Sequence, residues 1–116
     1  MASILIVDDE PRLGDALQRA LELEGHHAQY HSDPELALQE LRARPFDVVL
    51  TDLVMPGMGG IGLLRALRER ACRAPIVMMS GYVGESASEA VAGVSAWVQK
   101  PVSARRLGQI IQEALT

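Results

Sequence analysis

The chain has 116 residues, the size of one ordinary domain, and 48% of them are hydrophobic while only 3% are aromatic, so its core must be aliphatic. The formal net charge is −4, which argues against a nucleic-acid surface, since that would need clustered Lys and Arg. The single cysteine, Cys72, excludes an internal disulfide and reads as a free buried thiol.

The predicted elements alternate in type along the chain. Residues 4–7 (Ile-Leu-Ile-Val) form a first apolar run. The three residues before it are too few for the apolar part of a signal peptide, and they carry no basic lead-in. A helix follows, with Pro11 suited to its first turn, Leu13, Leu17, Ala20 and Leu21 at helical spacing, and Gly25 as its stop. Residues 27–31 give a weaker strand. Asp33-Pro34 reads as cap and first turn of a second helix carrying Leu36, Leu38 and Leu41. Residues 48–51 are again apolar, followed by a third helix on Ile61, Leu64, Leu67 and Arg68. Residues 76–79 form a fourth strand, in which Met78 and Met79 read as core. Residues 84–93, rich in Ser, Ala and Gly, give only a short and mobile helix. A fifth strand spans residues 96–99, and Ser103 caps a last helix carrying Leu107, Ile110, Ile111, Ala114 and Leu115.

The runs at 4–7, 48–51 and 76–79 are apolar on both faces, as in a parallel sheet covered by helices on each side. Right-handed crossovers turn such an alternation into an α/β three-layer, doubly wound sandwich. For five strands the common arrangement is a parallel sheet in the flavodoxin-like order 2-1-3-4-5. One domain over residues 1–116 is the expectation. No apolar run approaches membrane-spanning length, so no membrane insertion and a cytoplasmic location are expected.

The informative residues stand at the ends of the strands. Asp8 and Asp9 follow the first, Asp52 the third, Ser80 the fourth and Lys100 the fifth. In a parallel sheet all these ends share one edge, which is where open α/β sheets bind ligands. Three carboxylates together repel unless a cation lies among them. All-oxygen ligands with room for water favour Mg²⁺, with Mn²⁺ an acceptable substitute. A cation beside a carboxylate, a hydroxyl and an ammonium suits phosphoryl transfer, with a carboxylate as nucleophile. Of the 11 Lys and Arg residues only Lys100 is a lysine; a compact point charge where every other cation is a guanidinium adds modest support. Taken singly, each residue has a plainer reading: Asp9 as a helix cap, Ser80-Gly81 as a turn, Lys100 as a solvated surface group. Five matching polar residues at four strand ends weigh against that plain reading for the set.

The stretches Ile4-Leu5-Ile6-Val7-Asp8-Asp9-Glu10, residues 47–58 (Asp-Val-Val-Leu-Thr-Asp-Leu-Val-Met-Pro-Gly-Met), Met79-Ser80-Gly81 and Lys100-Pro101 resemble the receiver domains of two-component response regulators. The resemblance covers essentially the whole chain. It implies that Asp52 accepts a phosphoryl group from a histidine kinase or a histidine phosphotransfer protein. Asp9 would then bind Mg²⁺ directly, Asp8 mainly through water, Asp52 through its carboxylate and Val54 through its backbone carbonyl. Ser80 would hydrogen-bond the phosphoryl group and Lys100 would pair with it, so that Asp52, Ser80 and Lys100 carry the chemistry. The Lys100-Pro101 peptide would be cis, which only X-Pro bonds adopt cheaply.

The family's switch maps to Ser80 and Trp97, although the family more often has Tyr or Phe where Trp97 stands. The resemblance implies a signalling domain rather than an enzyme, one that promotes its own phosphorylation and loses the group slowly, since neither Val54 nor an outward Tyr82 orients an attacking water. It also allows a phosphorylation-dependent dimer, an output domain in a longer protein, or a place in a hybrid sensor histidine kinase. A phosphatase of the haloacid-dehalogenase type would want a second Asp two positions after the nucleophile, and neither Asp52-Leu53-Val54 nor Asp8-Asp9-Glu10 supplies it. A receiver that never takes phosphate would normally lack one of the five site residues.

Overall fold

The computed structural model describes residues 2–53, 59–69, 74–81, 94–100 and 102–115. Its strands are β1 (Ser3–Val7), β2 (His27–His31), β3 (Val48–Asp52), β4 (Ile76–Ser80) and β5 (Ala96–Gln99), and the described helices are α1 (Pro11–Leu23), α2 (Pro34–Ala43), α3 (Gly59–Glu69) and α4 (Ala104–Leu115). All strand pairs are parallel, in the order β2-β1-β3-β4-β5. The expected sandwich and strand order are therefore present. The helix expected over residues 84–93 lies outside the described residues, as do Val54, Cys72, Tyr82 and Pro101.

Alternation along the strands builds two cores, one on each face. Ile4, Ile6, Val48, Leu50, Val77, Met79 and Val98 face α1 and α4, meeting Leu17, Leu21, Leu107, Ile110 and Ile111. Leu5, Val7, Val49, Ile76 and Met78 face α2 and α3, meeting Ala37, Leu38, Leu63, Leu64 and Leu67. Both faces being covered is why the central strands carry no polar alternation. Met78 and Met79 are fully buried, as core residues.

Helix ends follow local chemistry. Gly25 adopts φ 93°, and the Gly25 and His26 amides donate to the Glu22 and Leu21 carbonyls, closing α1 with a left-handed cap. Asp33 accepts from the Glu35 amide at 2.9 Å, and Ser103 from the Arg106 amide at 3.1 Å, so both expected caps form.

Two details were not given by the sequence pattern. On α2 the buried stripe runs through Pro34, Ala37 and Leu38, with Leu41 partly buried beside it, leaving Leu36 47% exposed. On α3 it runs through Gly60, Leu63, Leu64 and Leu67, leaving Ile61 38% exposed. In both cases the i, i+3, i+4, i+7 stripe admits small residues to the interface and turns one large apolar residue outward. Gly60 is required where it stands: an added Cβ would collide with the Asp52 carbonyl and come within 2.8 Å of Met78 Sδ and 2.9 Å of Leu53 Cα.

Candidate functional site

The strand ends converge as their spacing implies. Asp8 continues β1, Asp52 and Ser80 are the last residues of β3 and β4, and Lys100 follows β5. Register sets Asp52 beside Met79 and Ser80 beside Gln99, and the Lys100 amide donates to the Ser80 carbonyl at 2.8 Å. Lys100 thus continues the ladder of β5 past its last paired residue and carries its side chain across the sheet edge.

The ammonium lies between the carboxylates. Lys100 Nζ is 3.0 Å from Asp8 Oδ2, 3.2 Å from Asp52 Oδ2 and 3.8 Å from Glu10 Oε1. Asp8 is fully buried and Asp52 nearly so, as is Ser80. Burial pulls the Lys100 pKa down, but hydrogen bonds and charge from Asp8 and Asp52 outweigh it, and the net shift is upward. Lys100 is accordingly a firm cation at neutral pH, and it offsets much of the repulsion that Asp8 and Asp52 would otherwise feel.

Asp9 and Glu10 are exposed, and with Asp8 each offers a carboxylate oxygen within 4.8 Å of the others. Oxygens around one Mg²⁺ stand about 2.1 Å from it and so at most about 4.2 Å from one another. The three carboxylates thus lie within reach of a single ion of that size. An all-oxygen, all-acidic donor set of this kind fits a hard divalent cation. Glu10 is a member the sequence reading did not single out; its signal was its place in an unbroken Asp8-Asp9-Glu10 run.

Each peptide of the acidic loop is hydrogen-bonded, two of them to β2. The Asp8 amide donates to the His31 carbonyl at 3.3 Å, the Asp8 carbonyl accepts from Tyr30 Oη at 2.7 Å, and Asp8 Oδ1 accepts from the Glu10 amide at 2.8 Å. Tyr30 and His31 belong to β2, the strand the sequence marks most weakly, and no sequence motif announced them. Burial raises the Tyr30 pKa, with the charges of Asp8, Asp15 and Asp9 adding to it, so the phenol stays protonated as a donor. Trp97 is half-buried beside Met78 and packs against the α2/α3 core.

The sequence matches the response regulator receiver domain over residues 4–112. The chain belongs to that family. This receiver domain is 38% identical over 111 residues to the sensory transduction protein RegX3 of Mycobacterium tuberculosis, covering 92% of the chain and 48% of RegX3. The chain thus spans about half the length of the curated relative it matches. In structure it is similar to the chemotaxis protein CheY4 of Vibrio cholerae, with a TM-score of 0.92 at 27% identity and 99% of each chain covered. It is also similar to the response regulator TrrA of Thermotoga maritima in complex with Mg²⁺–BeF, with a TM-score of 0.88 at 26% identity, covering 99% of this chain and all of that one. Two-component signalling is therefore the setting of this domain. Among the described residues no helix is long and apolar enough to cross a membrane.

Proposed function

We propose that this receiver domain accepts a phosphoryl group on Asp52, from a histidine kinase or a histidine phosphotransfer protein, in the presence of Mg²⁺. One observation carries the reading: Lys100 Nζ bridges Asp8 and Asp52 at 3.0 and 3.2 Å beside the Asp8, Asp9 and Glu10 carboxylates. Asp8, Asp9 and Asp52 would hold the cation, with the Val54 carbonyl as a further ligand by family resemblance. Bound there, Mg²⁺ supplies positive charge to the non-bridging oxygens of the incoming phosphoryl group.

The chain's own groups do the rest. An Asp52 carboxylate oxygen forms the new bond to phosphorus as the phosphorus–nitrogen bond of the donor breaks, and the electron pair stays on the donor imidazole, which takes up a proton from solvent. Lys100 stabilises the added negative charge from within hydrogen-bonding range of Asp52. Ser80, at the end of the neighbouring strand, would donate its hydroxyl to a phosphoryl oxygen. Ser80 and Trp97 then form the switch, and loss of the group without a phosphatase is slow. Support for the metal comes from the acidic donor set and from the similarity to TrrA, whose BeF ligand is a phosphoryl analogue.

The test is intact mass after incubation with Mg²⁺ and acetyl phosphate, and with a phosphorylated histidine kinase. One phosphoryl group gained only with Mg²⁺, and absent in Asp52→Asn, is the expected outcome. No gain from either donor sinks the reading and leaves a phosphate-independent binding module.

A further inference from the structure

Tyr30 has a place in the site that neither its residue type nor its position in the sequence signals. It lies in β2, in register with Ile6, two residues before Asp8 on the neighbouring strand. Its hydroxyl donates to the Asp8 backbone carbonyl at 2.7 Å. That carbonyl belongs to the peptide joining Asp8 to Asp9, and a peptide unit is planar, so one bond to its oxygen sets the tilt of the whole plane from which Asp9 departs.

The peptides on either side are held separately. The one before is held by the Asp8 amide on the His31 carbonyl, and the one after by the Glu10 amide on Asp8 Oδ1. Three consecutive peptides are thus anchored. Among the described residues the middle one is held by a single side chain, and that side chain comes from another strand.

The ring is held in turn by α1. Gly14 is buried against it, and an added Cβ there would collide with ring carbons of Tyr30. The Gly14 amide donates to the Glu10 carbonyl at 3.0 Å, so the helix that braces the ring also begins on the acidic loop. Loop, ring and helix form one closed circuit of contacts.

We propose that Tyr30 is a positioning residue for the acidic site, its hydroxyl holding the Asp8–Asp9 peptide so that the Asp8 and Asp9 carboxylates stand ready, with Asp52, for one divalent cation. This rests on the reading that the cluster binds Mg²⁺. Without the hydroxyl the loop must be ordered when the cation binds, and the cost falls on affinity.

The experiment is a calorimetric titration of the Tyr30→Phe protein with Mg²⁺, together with its thermal midpoint and the Mg²⁺ dependence of phosphorylation by acetyl phosphate. The expected result is a Kd for Mg²⁺ raised by about three- to tenfold, the loss of one hydrogen bond. The Mg²⁺ concentration giving half-maximal phosphorylation should rise by the same factor. Gly14→Ala, which pushes the ring aside while leaving the hydroxyl in place chemically, should raise the Kd in the same direction.

A lowered thermal midpoint with an unchanged Kd in both variants would make Tyr30 a stabilising contact only and overturn the proposal. An unmutated protein that binds no Mg²⁺ overturns the proposal and the metal reading together. An unmutated protein that binds Mg²⁺ yet gains no phosphoryl group overturns the phosphoacceptor reading alone, and Tyr30 is then judged on the Kd.

Discussion

The two flanks of the acidic site are built on different plans. On the β2 side the site is held by several neutral contacts: Tyr30 and His31 bond the Asp8 backbone, and Gly14 of α1 backs the Tyr30 ring. On the β5 side one long cation, Lys100, reaches Asp8 and Asp52 from a residue whose backbone is tied to Ser80 by a single amide. The β2 flank sets backbone geometry, whereas the β5 flank sets charge. A charge can be replaced by a cation from solution, and a backbone tether cannot.

The largest expected effect tests the charged flank. Lys100→Met leaves the fully buried Asp8 without its cation and should lower the unfolding free energy in EDTA by about 2–4 kcal/mol. Saturating Mg²⁺ should restore a good part of this, because it returns positive charge to the same carboxylates. Urea unfolding with and without Mg²⁺ measures both values, and an equal loss under the two conditions would break the distinction between the flanks.

A smaller effect is expected on the other flank. Helix propensity alone favours Gly14→Ala by about 1 kcal/mol. The collision with Tyr30 opposes it by about 1–3 kcal/mol, so the net change should be destabilising. In a Tyr30→Ala background the collision is gone and the same substitution should stabilise. That change of sign, read from a double-mutant cycle of urea midpoints, is specific to the ring contact; two changes of the same sign would argue against it.

The smallest effect is alkaline. Lys100 has its pKa raised in the folded state, so its contribution is fully present below the ordinary lysine value of 10.5 and is lost as pH rises through the folded value. Tyr30, raised above 10.0, acts in the same direction, since its neutral form is the one the fold favours. Unfolding free energy should therefore fall with rising pH above about pH 10. Lys100→Met and Tyr30→Phe should each flatten that fall. A slope unchanged in both variants would place the alkaline transition elsewhere.

Much of this was legible in the residues. The apolar runs, the Asp33 and Ser103 caps and the Gly25 stop lie in local chemistry, which depends on neighbours within a few positions and so shows in one dimension. The convergence of Asp8, Asp52, Ser80 and Lys100 was legible for a related reason: in a parallel sheet every strand end faces the same edge, so position at an end is itself a spatial coordinate. The exposure of Leu36 and Ile61 was not legible, because helical periodicity ranks residues by apolarity, while the interface selected Ala37 and Gly60 by size.

What the sequence by itself determined is the architecture, the family and the meeting of Asp8, Asp52, Ser80 and Lys100 at one sheet edge, since each follows from periodic burial or from residues at strand ends. Tertiary structure alone decided how the cluster is held. Tyr30 meets Asp8 across 22 positions and Lys100 meets it across 92. For Lys100 a strand end predicted the meeting. For Tyr30, inside an edge strand and facing a helix, only the packing of α1 on β2 brings the hydroxyl to that carbonyl, and packing between elements leaves no periodic trace in the chain.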